Sequence, residues 1–450
     1  ARLERQGGII MKSTIVLFAT LIVLTGIFFN AQAFAGEAMP APSYSGDFLT
    51  RSTLTGDWGG TRNDLAKKGV IFDLNLTQIG QGNIGGGKDV GWEYGGRGDL
   101  TTNLDTQKIG LWPGGHITVE VEGNFGNSVN PQTGAIMPVN TNQIFPTTGS
   151  DQLNIPNMSI MQFFSHYFGV VVGKLATITA HTGDMNEFAH GKGDTQFFNL
   201  AFNANPAVLV TVPYSTLAAG LVILPTQNPA EAIITINALD ANGLANRSGF
   251  DTVFKGNTTY SIEGRVRTGF FGMTGHQLIG ATYSARNFTS LDQRIIIDDH
   301  EIEQKENSWS FHYNFDQYLY EPKKGQGIGI FGRFGASDGN PNPVHYFYSI
   351  GVGGKGVLGR PLDQFGIGYY YMEVNSPKFT GPLATREVPL HSAQGFEAYY
   401  NLAVTPWMKL TPDIQIMRGG QKEKLVSIVP PVKQSIDAAT VVGLRMQLVF

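Results

Sequence analysis

Apolar and polar positions alternate with a period of two along most of this chain. Phe72, Leu74 and Leu76 oppose Asp73, Asn75 and Thr77. Ile117, Val119, Val121 and Phe125 oppose His116, Thr118, Glu120, Glu122 and Asn124. The same holds for Tyr260, Ile262 and Val266 against Ser261, Glu263, Arg265 and Arg267, and for Trp309 to Asp316, Val344 to Ile350, Phe396 to Val404 and Met408 to Ile416. Successive side chains of a strand point to opposite faces, so each segment has one apolar and one mostly polar side. About sixteen such segments lie between Val70 and Phe450, separated by Gly, Pro, Asn and Asp. The last has Val442, Leu444, Met446, Leu448 and Phe450 on one side and Gly443, Arg445 and Gln447 on the other, with Val441 and Val449 as apolar exceptions.

These segments predict an all-β fold, a transmembrane antiparallel β-barrel of about sixteen strands, apolar outside and polar within. A soluble sandwich would have the same pattern with its faces inverted. The ends of the chain favour the barrel. Lys12 precedes an apolar run from Ile15 to Phe29, and Ala33-Phe34-Ala35 follows, the order of a secretory signal peptide. Phe450 ends the final segment as in the terminal strands of Gram-negative outer-membrane barrels, which the barrel-assembly machinery reads. The expected organisation is an upstream extension at 1–10, a signal peptide at 11–35, a periplasmic segment at 36–69 and the barrel at 70–450, in contact with outer-membrane lipid. A short helix is expected over Thr55 to Gly69, with Thr55 or Asp57 as its cap and Gly69 as its stop.

Composition agrees. Only 15% of residues are charged, against about a quarter in ordinary globular proteins, and 57 glycines accompany 29 phenylalanines. There is no cysteine for a disulfide or thiolate site, and a net charge of −4 gives no basic surface for nucleic acid. Chemistry-bearing motifs are weak. Gly325-x-Gly-x-Gly-x-x-Gly332 lacks the helix a dinucleotide loop needs, and its glycines relieve crowding on a curved strand. Arg97-Gly98-Asp99 sits on a strand, where an integrin-type tripeptide cannot present itself. The nine histidines show no ligand spacing, and G-x-S-x-G is absent, so no metal, cofactor or catalytic residue is expected. His312 and Asn314 share a strand face, the thin case for a barrel hydrolase.

Two connections are long. Gly126 to Ile155 is polar and expected outside the cell. His181 to Pro213, which contains Thr195-Gln196-Phe197-Phe198-Asn199, is expected to fold inward and narrow the pore. The lumen faces then offer Arg97, Asp99, Thr101, Asn103 and Asp105 on the second segment, Glu120 and Glu122 on the third, and Glu263, Arg265 and Arg267 on the ninth. Guanidinium beside carboxylate can replace water around a neutral polyol. The competing arrangement is an Arg97–Asp99 charge pair that braces the wall. Trp58 is expected to wedge the helix against the wall, and Trp92 to sit in an interface girdle.

Leu54-Thr55-Gly56-Asp57-Trp58-Gly59-Gly60, followed by Arg62, Leu65 and Gly69, resembles the opening signature of the carbohydrate-selective porins of the OprB type. Tyr94 to Leu100, Leu111-Trp112-Pro113-Gly114-Gly115, Phe202 to Ala207 and Glu397 to Gln415 resemble later stretches of that family, while Arg418-Gly419-Gly420 replaces its Pro-Gly-Gly turn. The resemblance spans Leu54 to Phe450. It implies a monomeric sixteen-stranded barrel that passes sugars, glucose above all, down a gradient, and no enzymatic activity. It also places Arg97 inside the family's Tyr-x-Gly-x-x-Asp-Leu stretch. The rivals are a general or organic-acid-selective porin, a barrel hydrolase and a purely structural barrel with a sealed lumen.

Overall fold

The computed structural model describes residues 42–144, 153–177, 186–253, 255–294, 302–382, 384–428 and 431–450. The expected upstream extension and signal peptide lie outside these residues. Sixteen strands form one closed antiparallel barrel, each paired with its neighbours in chain order. They are β1 (Val70–Gly87), β2 (Gly91–Asp105), β3 (Gly115–Gly126), β4 (Leu153–Phe163), β5 (Phe168–Ala176), β6 (Ser215–Ile223), β7 (Ala232–Asp240) and β8 (Thr258–Thr268). Then follow β9 (Gly275–Thr289), β10 (Gln304–Lys323), β11 (Gln326–Ser337), β12 (Val344–Lys355), β13 (Gln364–Val374), β14 (Ala393–Thr405), β15 (Met408–Arg418) and β16 (Asp437–Val449). Glu263, Arg265 and Arg267 therefore stand on the eighth strand and not the ninth. Short turns join the strands at the periplasmic rim, and the long loops all lie at the other end, where a short turn also joins β1 to β2.

The faces settle which way the alternation points. Leu74, Leu100, Ile160, Ile236, Ile262, Ile350, Ile414 and Leu444 are exposed on the outer wall. Arg97, Glu120, Glu122, Asp316, Arg333, Glu397, Asp413 and Arg445 are buried inside. A soluble sandwich would reverse this, because burying many charges while exposing aliphatic rows is unfavourable in water. An outer wall against hydrocarbon and closed edges satisfy both demands.

Closure occurs between β1 and β16. Gln447 lies opposite Thr77 and Arg445 opposite Ile79. The ladder begins at Asn75 and Val449, and the Phe450 N–H donates to the Leu74 carbonyl at 2.8 Å. Val70 to Phe72 thus extend past the last strand, a stagger that follows from strand tilt in a closed barrel.

The N-terminal helix is shorter than its sequence suggests, Thr61–Lys67. Trp58, Gly59 and Gly60 all have positive φ, so helix cannot start before them. Gly60 is the cap, in place of Thr55 or Asp57, and Gly69 at φ 87° ends the element as expected. Trp58 is half exposed and does not wedge against the wall. The helix is tied down by Arg62, whose guanidinium donates to the Phe72 carbonyl at 2.6 Å and lies over the Tyr44 ring. Leu54 N–H donates to the Val449 carbonyl at 2.7 Å, so this segment also caps the terminal strand.

The hydrophobic core sits inside the barrel. Phe188, Phe197 and Phe202 of the long β5–β6 loop pack on Tyr318, Phe331, Phe347, Tyr370, Met372 and Tyr399 from five consecutive strands, β10 to β14. Within that loop, Leu200–Asn203 form one helical turn. Glycines make the room. An added Cβ at Gly366 would lie 2.7 Å from the Phe197 ring, and one at Gly368 would lie 2.5 Å from Phe202. Gly329 and Gly353 make the same accommodation for Phe188, so Gly329 serves a loop aromatic more than it relieves curvature.

The β3–β4 loop corrects a second expectation. Its described part, 127–144, turns into the lumen instead of standing free outside the cell. Val129 and Val139 pack on Met417, Ala439 and Val441, which explains the apolar exception on the inner face of the last strand. The Gln415 amide donates to the Val139 carbonyl at 2.9 Å.

Candidate functional site

Three lumen arginines anchor the inward loops through backbone carbonyls. Arg445 donates to Gly193 at 2.8 Å and Gln196 at 2.9 Å, and its guanidinium covers the Phe198 ring. Arg333 donates to Phe202 at 2.7 Å and to Ala189. Arg97 donates to the Asn142 carbonyl at 3.3 Å. On the opposite side, Glu397 accepts the backbone N–H groups of Phe198 and Asn199. A loop has no ladder to satisfy its peptide groups, so buried wall charges supply the partners.

Arg97, Asp99, Glu120 and Glu122 converge, because β2 and β3 pair with Asp99 opposite Glu122 and Thr101 opposite Glu120. The Arg97 Nε donates to Asp99 at 3.0 Å, so the wall-bracing pair forms. It does not use the whole guanidinium. Among the described residues Nη2 is buried without a protein hydrogen-bond partner, as are both atoms of the Asn142 and Asn154 side-chain amides. Asn154 stands opposite Glu122 on β4. Groups of this kind call for hydroxylic partners.

Lys192 of the inward loop completes the cluster. Its ammonium contacts Glu120 and lies 3.6 Å from Glu122 and 3.9 Å from Asp99. Tyr214, at the end of the same loop, donates to both Glu122 oxygens at 2.7 and 2.9 Å. The three carboxyl groups have ligand atoms within 4.8 Å of one another, a spacing that could hold a cation, and Lys192 supplies one from the chain itself.

Glu263, Arg265 and Arg267 do face the lumen but have other partners. Glu263 contacts His312 at 2.9 Å, Arg265 donates to the Pro229 carbonyl, and Arg267 pairs with Glu231 at 2.6 Å near the periplasmic rim. The seven sequence-derived residues therefore divide into a cluster of four under the loops and a descending row of three. Thr101, Asn103 and Asp105 continue the β2 lumen face below the cluster, half buried. Trp92 is exposed on the outer wall near the loop end of β2, where a girdle residue belongs.

Lys192, Tyr214 and Asn142 escaped sequence reasoning. Lys192 is the single Lys or Arg in the stretch 181–213, which was already expected inside. A lone cation there, facing an acidic wall, was a usable signal. Asn142 and Tyr214 carried none, since only the path of the loops brings them to β2 and β3.

The family model described as "Carbohydrate-selective porin, OprB family" matches residues 90–450. Porin B of Pseudomonas aeruginosa is 22% identical over 442 residues, covering 88% of this chain and 91% of that protein. The high-pH structure of Pseudomonas putida OprB superimposes with a TM-score of 0.73 at 20% identity, covering 92% of this chain and all of that one. The low-pH structure of the same protein gives a TM-score of 0.55 at 18% identity.

Proposed function

Because this chain belongs to the carbohydrate-selective porin, OprB family, we propose that neutral sugars of glucose size cross it passively at the Arg97–Asp99–Glu120–Glu122–Lys192 cluster. The chain is an outer-membrane porin for carbohydrates, and its relatives are channels. The finer reading rests on one observation: polar groups of both signs stand beside amide and guanidinium atoms that lack partners among the described residues. A sugar ring presents adjacent hydroxyls that donate and accept at once, and fixed donors and acceptors replace its water without net charge transfer. Release is easy because each contact is an exchange of hydrogen bonds.

The same cluster argues against an organic-acid channel. Three carboxyl groups face two cations, so there is no cationic excess for an anionic solute. In this reading 11–35 directs export, 36–69 stays at the periplasmic rim, and 70–450 spans the membrane in lipid. The assembly machinery acts through the terminal strand, and the chain carries out no reaction. Liposome swelling with a panel of mono- and disaccharides against ion controls tests the channel. Arg97→Ala is expected to weaken glucose block of single-channel current while a conducting pore persists. Unchanged block would remove Arg97 from the site.

A further inference from the structure

A second feature of the lumen lies away from the cluster, at the periplasmic mouth. A cavity of ≈ 430 Å³ opens between the turns that join β6 to β7, β8 to β9 and β10 to β11. Glu231, Arg267, Met273, Thr274, Glu321 and Lys324 line it. Its polar groups are held in place by bonds that leave capacity over. Arg267 Nη1 donates to Glu231 at 2.6 Å and Nη2 to the Thr274 hydroxyl at 3.3 Å. Glu321 receives the Thr274 N–H at 2.6 Å on one oxygen and the Gly325 N–H at 2.7 Å on the other. The Arg267 side chain continues the lumen face of β8 below Glu263 and Arg265, so a solute leaving the constriction along that wall meets this cavity.

We infer that this cavity is a second sugar-binding subsite, an exit station for a neutral monosaccharide at the periplasmic mouth. The charges decide the ligand class. Two cations and two carboxylates cancel, so neither a free anion nor a cation gains net attraction. A polyol can instead bridge guanidinium and carboxylate with adjacent hydroxyls. The fork of Arg267 is pre-organised by Glu231 and Thr274, which lowers the cost of ordering it around a ligand. Gly269 and Gly272 keep the cavity open at the turn, and Met273 offers an adaptable apolar surface to the C–H face of a pyranose. The volume lies toward the small end of ligand pockets, which suits one sugar ring more than an oligosaccharide. Two weak stations in series let a solute pass by successive hydrogen-bond exchange without a deep trap.

This inference rests on the sugar-channel reading, and the experiment separates the two. Single channels are recorded in planar bilayers with glucose added to one chamber at a time, for the wild type, Arg267→Ala, Glu231→Gln and Arg97→Ala. Glu231→Gln keeps the side-chain shape, so it guards against a variant that fails to fold. Arg267→Ala and Glu231→Gln are expected to weaken block from one chamber by about tenfold, the loss of one charge-assisted hydrogen bond, and to leave block from the other chamber near wild type. Arg97→Ala is expected to weaken block from both. If both rim variants match the wild type from either side while Arg97→Ala does not, the exit subsite is refuted and the sugar channel stands. If glucose blocks the wild type from neither side, the sugar reading fails, and the subsite with it. Loss of block by inorganic phosphate but not by glucose in Arg267→Ala also overturns the proposal, in favour of an anion site.

Discussion

At the scale of single residues, buried charge in this protein is spent on holding loops. Arg97, Arg333 and Arg445 each give part of their guanidinium to a carbonyl of an inward segment. Lys192 works in the opposite sense, from loop to wall. Its removal takes away the ammonium that faces Glu120 and Glu122, while Asp99 keeps Arg97 and Glu122 keeps Tyr214, and loss of one partner of a buried ion pair costs several kcal/mol. Lys192→Gln is therefore expected to shift the reversal potential in a KCl gradient toward cation selectivity and to loosen the loop. At the rim, Asp363 shows the same economy. Burial acts to raise its pKa, but the Arg360 guanidinium, the Tyr400 hydroxyl and the Ala403 N–H outweigh burial and hold the carboxyl below the usual range. A depressed carboxyl lends stability above its unfolded value near 3.9 and loses it as pH falls through the folded value. The wild type should be more heat-stable than Asp363→Asn at neutral pH, and the gap should close below about pH 4.

At the scale of elements, the unit that makes the pore is a loop seated in a socket of strands. The Phe202 ring stacks on Phe197 with centroids 4.4 Å apart and meets Tyr370 edge-on at 5.8 Å. Gly366 and Gly368 supply the room on β13. Five of the sixteen inner strand faces, β10 to β14, are thus covered by apolar packing, and the polar faces of β1 to β4 and β8 lie outside that packing as the wall a solute can use. Phe202→Ala removes about 3–5 kcal/mol of packing from the loop. It should raise single-channel conductance and flatten the preference among sugars in swelling assays. Gly368→Val drives the same ring from its place and should act in the same direction. A rise in neither variant would mean that the loop is held by the arginine bonds alone.

At the scale of the whole molecule, the period-two pattern fits a closed barrel or an inverted sandwich, and the aliphatic outer wall decides for the barrel. In lipid every peptide group must be paired, and alternating faces leave one way to do so. The strand faces and the lumen position of Arg97, Glu120, Glu263 and Arg445 were legible because each depends on local order alone, and the inward β5–β6 loop was legible from its length and mixed polarity, though not its resting place. The closing register was not, since the stagger of β16 against β1 is a property of the full ring. Nor was the inward turn of the β3–β4 loop. Its Asn, Thr and Pro residues suit water equally well, and only the apolar patch of Val441 and Met417 across the lumen draws Val129 and Val139 in. The division of seven lumen residues into a cluster under the loops and a row toward the rim has the same origin. Sequence alone determined which face each side chain occupies, because that follows from the geometry of a single strand. Tertiary structure decided which side chains meet across the lumen, because those distances depend on ring closure and on where two loops come to rest.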